Sequence, residues 1–418
     1  MRVARRASVA AAVALIVVAC GDATAPTHEI TLDFCGPIWA AYRNQGGAWT
    51  SLGSEPRVAT FSATDRLAIA TVSYSGGSSA PILDVRYLSA DQAAATFACG
   101  TAIADAAATK QLQGSVAGLE SGGSAFISMG RLPAGAYASS PTFQVKAPAD
   151  GPADLVATHQ LPLESTQPSA RVDKAIVRRG LSYPDGATMP VLDFSSAEAF
   201  DLQSNTLTLQ GLTGTEALFV QTRLLTALGA EGYFGGDRRS SGTVGTMTSF
   251  PASRLTEGDV HQLNAGNVPG DVAGASSRSI LLFYRTPTDR TLALGPAATT
   301  PTFVTSGDQI VRVDLAAQSE YGAQVNIALA QPQPSTFQNT VTITATKEYF
   351  GGTPVRWSLE IPDLNGVPGF FPLWGMPSGG MGWTLRVSGV PYRFSARSAR
   401  DGDTYRAASG SGVAIVGQ

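Results

Sequence analysis

The sequence predicts an all-β protein: several small β-sandwich-like units in tandem, with few short helices. The 418 residues include 45 glycines and 25 prolines, and only 15% are charged, which disfavours a helical bundle. Short runs of β-branched and aromatic residues alternate with turn-forming residues along the chain, as in half-buried strands joined by tight turns. A chain of this length exceeds what one hydrophobic core usually holds, so more than one unit is expected.

The chain opens with an export signal. Residues 2–6 supply three arginines, and residues 8–18 form an apolar stretch. That stretch is too short to cross a bilayer as a helix, which takes about 20 residues, but it suits the apolar region of a signal peptide. Residues 17–20, Val-Val-Ala-Cys, follow directly.

This tetrapeptide resembles the lipobox of bacterial lipoproteins, and the resemblance covers residues 1–20 only. It implies acylation of the Cys20 thiol, cleavage before Cys20, and a protein held to a membrane by lipid. Residues 1–19 are then the signal peptide and residues 20–27 the lipidated tether. In this class an aspartate directly after the cysteine favours the inner membrane. Because that position is Gly21, the outer membrane or cell surface is favoured. The alternative is an ordinary secretory signal in which Cys20 is incidental.

Four β-units are predicted after the tether. Their bounds are 28–108, 109–190, 191–274 and, for a C-terminal β-sandwich, 275–418. The step Leu-Gln-Gly occurs at both 112–114 and 209–211. This repeated tripeptide suggests that some of the units arose by duplication.

The first unit carries the clearest local signals. Residues 39–43 and 49–52 flank a glycine-containing turn and predict a hairpin. Residues 67–74 have no charge on either face, which predicts a strand covered on both sides. Residues 89–92, Ser-Ala-Asp-Gln, match a capping box and open an alanine-rich stretch, predicting one short helix.

Two cysteines remain beside Cys20. Since exported proteins meet an oxidising environment, Cys35 and Cys99 predict one disulfide. Closing a loop of about 65 residues contributes up to about 4 kcal/mol in the chain-entropy model. The alternative is two buried thiols. Two distant cysteines and three scattered histidines offer no metal-ligand spacing, so neither a metal nor another cofactor is expected.

Several functional classes are disfavoured. A net charge of −3 provides no basic field for nucleic acid. The sequence has no Gly-x-Ser-x-Gly elbow, no His-Glu-x-x-His pair and no Walker loop. The glycine–serine run at 409–412 is interpreted as a flexible tail. The three histidines are interpreted as ordinary polar residues rather than catalytic bases: His28, His159 and His261.

Acidic residues leave catalysis open. Asp193 with Glu198, or Glu360 with Asp363, could form the carboxylate pair of a hydrolase. Other acidic residues near glycine resemble fragments of a calcium loop without its closing glutamate, and they are interpreted as turn residues: Asp150, Asp154, Asp401 and Asp403.

An aromatic cluster near the C-terminus is the candidate binding site. Phe370, Phe371 and Trp374 lie in a glycine- and proline-rich loop, and Trp383 follows it. Two interpretations are open: a lid folded over the core, or exposed rings that contact a glycan or protein partner. The sequence favours a non-catalytic binding or structural lipoprotein of the cell envelope. The alternatives are an exported hydrolase of glycans or peptides, and an accessory subunit of an envelope assembly.

Overall fold

A computed structural model describes residues 27–74, 80–97, 109–130, 133–162, 171–213, 216–268, 276–331, 339–376 and 378–414. Strands hold 58% of the described residues and helices 6%, which confirms the all-β prediction. Cys20, Cys99 and the predicted signal peptide lie outside the described residues. Within the described ranges, no helix is both long enough and apolar enough to span a bilayer.

The elements have the following bounds. The strands are β1 (Thr27–Asp33), β2 (Trp39–Asn44), β3 (Thr50–Ser54), β4 (Val58–Thr64), β5 (Arg66–Tyr74), β6 (Pro81–Ser89), β7 (Thr109–Ala117), β8 (Ser124–Ser128), β9 (Pro133–Tyr137), β10 (Thr142–Pro148), β11 (Ala153–Gln160), β12 (Val172–Leu181), β13 (Leu192–Asp193), β14 (Phe200–Asp201), β15 (Gln203–Gln210), β16 (Ala217–Leu225), β17 (Glu231–Arg239), β18 (Val244–Ser249), β19 (Val260–Val268), β20 (Ser277–Tyr284), β21 (Arg290–Ala293), β22 (Thr302–Ser306), β23 (Gln309–Ala316), β24 (Gln324–Ala330), β25 (Thr340–Thr346), β26 (Arg356–Glu360), β27 (Met381–Ser388) and β28 (Thr404–Ala414). The α-helix described is α1 (Ala90–Thr96), and short 3₁₀ segments lie at Ala252–Arg254, Ser319–Tyr321, Pro372–Trp374 and Ala396–Ser398.

Four groups of strands repeat one sandwich topology. In the second unit one sheet has the order β9-β8-β11-β12, and the other pairs β7 antiparallel with β10 and parallel with β13. The third unit repeats this strand for strand, with β17-β16-β19-β20 and with β15 between antiparallel β18 and parallel β21. The first unit has β3-β2-β5-β6 and β1-β4, and the fourth has β25-β24-β27-β28 and β22-β23-β26, in which β22 is an additional strand antiparallel to β23. We name the strand positions of this repeat A to G in chain order.

The repeat corrects two predicted boundaries. β13 is strand G of the second unit, which therefore extends to Asp193 rather than residue 190. β20 and β21 are strands F and G of the third unit, which ends near Ala293 rather than at residue 274. The strands on either side of residues 269–275, β19 and β20, are strands E and F of one sandwich and are hydrogen-bonded to each other.

Sheets of three units join into one. The four-stranded sheets of the first, third and fourth units form a single twelve-stranded sheet. β20 pairs antiparallel with β28, and β25 pairs parallel with β6. These units are thus linked by main-chain hydrogen bonds as well as by side-chain packing.

The first-unit sheet is covered on both faces, as predicted for residues 67–74. Leu67 and Ile69 are fully buried in a cluster with side chains of β1. Ala68 and Ala70, on the other face, are fully buried in a cluster with side chains of β23 and β26. Because side chains alternate between the faces of a strand, a strand between two cores carries apolar residues at every position.

The predicted hairpin and helix are confirmed. β2 and β3 pair antiparallel. At the start of α1, the Gln92 backbone N–H donates to Ser89 Oγ at 3.3 Å, and the Ser89 N–H donates to Gln92 Oε1 at 3.2 Å. This reciprocal pair satisfies two backbone donors that the first helical turn leaves unpaired.

The glycine–serine run at 409–412 is not a flexible tail. It lies inside β28, where Gly412 pairs opposite Trp383 of β27. A Cβ at Gly412 would lie 2.7 Å from the Trp383 ring, whereas one at Gly410 would lie 3.8 Å from it. The indole fills the space above these glycines, and this cross-strand packing is not visible in the local sequence.

The disulfide stays a prediction because Cys99 lies outside the described residues. Cys35, which follows β1, is not a free thiol. The chain that leads to Cys99 passes close to it: the Asp33 N–H donates to the Phe97 carbonyl oxygen, and the Phe34 and Phe97 rings lie 5.1 Å apart.

Candidate functional site

The aromatic loop, which we define as residues 362–376, packs its inner side on the core. The Trp39 indole, fully buried, donates its N–H to the Pro368 carbonyl oxygen at 3.1 Å. The Phe370 ring meets this indole edge-on at 5.0 Å, and Trp374 meets Phe370 edge-on at 5.8 Å. Edge-to-face contacts of this kind stabilise a loop beyond the area they bury. The lid interpretation therefore describes the inner side of the loop.

Two apolar side chains of the loop face water. Phe371 is 53% exposed and Leu373 is 69% exposed. The Phe371 ring rests against Trp374 at 5.9 Å, so a fixed ring supports it. Trp383 is only 9% exposed and belongs to the core, so it offers no free ring. Sequence reasoning missed Leu373, although its place between aromatics in a proline-rich loop was an available signal.

The aromatic loop and Thr27, the residue at which the predicted tether ends, lie at opposite ends of β2. β2 starts at Trp39, beneath the loop, and ends five residues later at Asn44. There the Thr64 N–H donates to Asn44 Oδ1 at 3.0 Å, and Thr64 pairs with Thr27, where the predicted tether ends. At about 3.3 Å per residue, these two ends of β2 lie roughly 17 Å apart.

A concave cleft lies between the second and third units. Its volume is about 680 Å³, and strands of both units line it. Its charged lining consists of Arg171, Asp173, Asp201, Asp237, Arg238 and Arg239. Sequence reasoning missed this site because its residues come from two units and form no motif.

Some charges in the cleft have partners. Asp237 Oδ2 accepts from Arg239 Nε at 3.0 Å and from the Thr246 N–H at 2.9 Å. Asp173 Oδ1 lies 2.6 Å from Nδ1 of His159, which is 3% exposed behind it. This contact fixes the orientation of the Asp173 carboxylate.

Other charges in the cleft are free. The side chains of Arg171, Asp201 and Arg238 have no hydrogen-bond or ion-pair partner within the part of the chain described. Arg171 and Arg238 are also exposed. Among the described residues, the cleft therefore presents two guanidinium groups and one carboxylate that have no partner.

Asp193 and Glu198, the first predicted carboxylate pair, both bind neighbouring residues. Asp193 Oδ1 accepts from the Ser195 hydroxyl at 2.6 Å and from the Ser195 N–H at 2.9 Å, and these hydrogen bonds lower the Asp193 pKa. Glu198 binds Arg178 through both oxygens, at 2.7 and 2.8 Å, which lowers the Glu198 pKa. A glycosidase acid needs a raised pKa, so this pair is unsuited to that role.

The second pair and the acidic turn residues also have structural contacts. Glu360 binds Arg43 through both oxygens, at 3.2 and 2.8 Å, and Asp363 Oδ1 accepts from the Asn365 N–H at 3.0 Å. Backbone N–H groups donate to Asp401 and Asp403, as expected of turn residues. In the described ranges, no group of three His, Cys, Asp or Glu side chains is placed to hold a metal ion.

The histidines have separate environments. His28 is exposed and lies 2.8 Å from Asp65. His159 contacts Asp173, and His261 is fully buried. None of the three lies within a hydrogen bond of a serine or cysteine nucleophile in the described structure.

The chain matches no protein-family model and no curated protein. Its function has to be inferred from these residues and their geometry.

Proposed function

We propose that this protein is a lipid-anchored, non-catalytic binding protein of the cell envelope. Lipid on Cys20 would hold it to a membrane, with the outer membrane or cell surface favoured. The aromatic loop would contact a glycan or protein partner. The observation that carries this proposal is that Phe371 and Leu373 are exposed at the end of β2 opposite Thr27, where the tether joins the body.

The fixed base of the aromatic loop supports a binding role. Because Phe370 and Trp374 are packed on the core and Trp374 supports the Phe371 ring, that ring does not have to be ordered when a partner binds. Avoiding that ordering saves about 0.5–1.5 kcal/mol per side chain in a typical interface. Exposed apolar side chains on a well-anchored loop are a common feature of contact sites.

An exported hydrolase is the second candidate. The cleft supports it, because Asp173, Asp201 and Asp237 line one concave space. Two of these carboxylates already have partners, His159 and Arg239, which weighs against free acid and base roles. Loss of hydrolytic activity in an Asp201→Asn variant, if any activity is found, would favour this candidate over the binding role. An accessory subunit of an envelope assembly would use the same exposed loop to contact its assembly.

The aromatic loop can be tested by cross-linking in intact cells. A photo-reactive residue at position 372 should form adducts with the partner, and Phe371→Ser with Leu373→Ser should reduce them at least about tenfold by removing the apolar contact. Val355→Ser is the matched control, because Val355 is 94% exposed at the other end of β26. All variants should keep their melting temperature, since the side chains are exposed. Equal adduct loss in the control, or no adduct in the parent protein, would contradict the proposal.

A further inference from the structure

The fourth unit shows that this sandwich accepts an added strand at strand C. Its C strand is β25, the outer strand of its own four-stranded sheet. β6 of the first unit pairs along β25 in parallel, from Thr340 opposite Ile82 to Ala345 opposite Tyr87. In the fourth unit, the edge of strand C therefore accepts a strand from another unit of the same chain.

Two other C strands are protected. The edge of β3 lies against the aromatic loop, where Ser51 Oγ donates to the Pro368 carbonyl oxygen at 2.7 Å. β9 has five residues and begins with Pro133, which has no N–H to donate. Short strands, proline and covering loops are the usual means by which proteins block a sheet edge.

The C strand of the third unit, β17, is different. It has nine residues and is the terminal strand of the twelve-stranded sheet. Its outer side meets Arg171 at Gly235, where β17 bulges and φ is +76°. Beyond that point, residues 236–239 pair with β16 alone among the described strands. Residues 236–239 line the cleft, and no backbone hydrogen bond joins their outer side to another described residue.

Among the charged lining residues that have no partner in the described part of the chain, two are arginines, Arg171 and Arg238, and one is a carboxylate, Asp201. This excess of positive charge suits an acidic ligand. Guanidinium groups bind carboxylates through paired, charge-assisted hydrogen bonds.

We propose that the cleft binds an extended polypeptide segment with acidic side chains, which adds to the outer edge of β17 as a further strand. Backbone hydrogen bonds to residues 236–239 would hold the segment, and Arg171 and Arg238 would bind its carboxylates. A bulge and charged residues can also serve only to block an edge. A binding edge takes up a peptide, whereas an edge that is only blocked does not, so peptide binding distinguishes the two roles.

The test uses the full chain in detergent and a defined peptide mixture. The probe is a mixture of acetylated, amidated heptapeptides that alternate Val or Thr with Asp or Glu. Bound peptide should slow amide hydrogen exchange at residues 236–239. A mixture with Lys in place of the acidic residues should bind at least about tenfold more weakly. The same acidic mixture with N-methylated backbones should not slow exchange, because it cannot pair with a strand.

Arg238→Glu should weaken binding of the acidic mixture at least about tenfold, while the matched change Arg57→Glu, at an exposed arginine of the first unit, should leave it within about twofold. Three results would each overturn the proposal. They are no slowed exchange at about 1 mM peptide, equal slowing by the N-methylated mixture, and protection by an acidic oligosaccharide in place of the peptide.

Discussion

His261 is a buried imidazole that its surroundings keep neutral. Its Nε2 accepts a hydrogen bond from the Phe250 N–H at 2.9 Å, and its ring stacks on Tyr284 at 4.9 Å. Burial lowers the His261 pKa to about 4, although the Tyr284 backbone and the Asp259 carboxylate act in the opposite direction. Protonation would place an uncompensated charge in the core.

This pKa predicts acid sensitivity. Because the folded pKa lies below the ordinary value of 6.5, the contribution of His261 is complete above pH 6.5 and declines as the pH falls towards 4. The loss should reach about 2 kcal/mol at pH 5. Urea unfolding at pH 7 and pH 5 should show a smaller difference in His261→Gln, which keeps an acceptor for Phe250. His28→Gln, at an exposed histidine, should retain the parent difference, and identical differences in all three proteins would contradict this account.

Gly412 and Gly410 form a matched pair of substitution sites. Gly412→Ala would push a Cβ to within 2.7 Å of the Trp383 ring, and the buried indole has little room to move. We expect a loss of about 1–3 kcal/mol of unfolding free energy from this overpacking. Gly410→Ala places its Cβ at 3.8 Å, an ordinary contact, and should change stability by less than about 0.5 kcal/mol. Chemical denaturation of both variants tests this, and equal losses would show that Trp383 moves freely.

At the scale of elements, one arginine links the second and third units. Arg179 of β12 contacts Asp154 Oδ2 of β11 at 2.9 Å and Asp259 Oδ2, just before β19, at 2.6 Å. Both carboxylates are at most 2% exposed. The guanidinium thus compensates two buried charges that come from different sandwiches.

Removing the Arg179 side chain should lower the free energy of unfolding. Arg179→Met leaves Asp154 and Asp259 without their counter-ion, and we expect a loss of about 3–5 kcal/mol at pH 7 in thermal or urea unfolding. Arg223→Met is the control, because Arg223 lies 3.9 Å from Glu231 and both are partly exposed. Such a pair contributes less than about 1 kcal/mol. Similar losses of unfolding free energy in the two variants would mean that the ion pairs of Arg179 stabilise the protein no more than the exposed pair of Arg223 does.

Element prediction succeeded where the signal is local. The capping box at Ser89, the β2–β3 hairpin and the uncharged strand β5 follow from spacing within a few residues. The glycine–serine run at 409–412 was misjudged because its strand is stabilised by Trp383 of another strand. Pairing between strands distant in sequence depends on contacts that no local window contains.

At the scale of the whole molecule, the repeated sandwich explains both the success and the limit of the sequence analysis. Tandem β-units were predicted, but the twelve-stranded sheet was not, since it needs β6 to pair with β25 and β20 to pair with β28. The cleft likewise needs Arg171 and Arg238 from two units. The aromatic loop was predicted from composition, and its division into a packed and an exposed side required the fold.

Attachment by lipid at Cys20 is the central proposal, because it would determine which end of the molecule faces the membrane. Mass spectrometry of the amino-terminal peptide of the native protein, purified from membranes, tests it most directly. We predict a peptide that begins at Cys20 and carries acyl chains on the thiol and on the amino group, and a Cys20→Ala variant recovered in the soluble fraction. An uncleaved chain that begins at Met1, with an unmodified Cys20 thiol, would contradict the account.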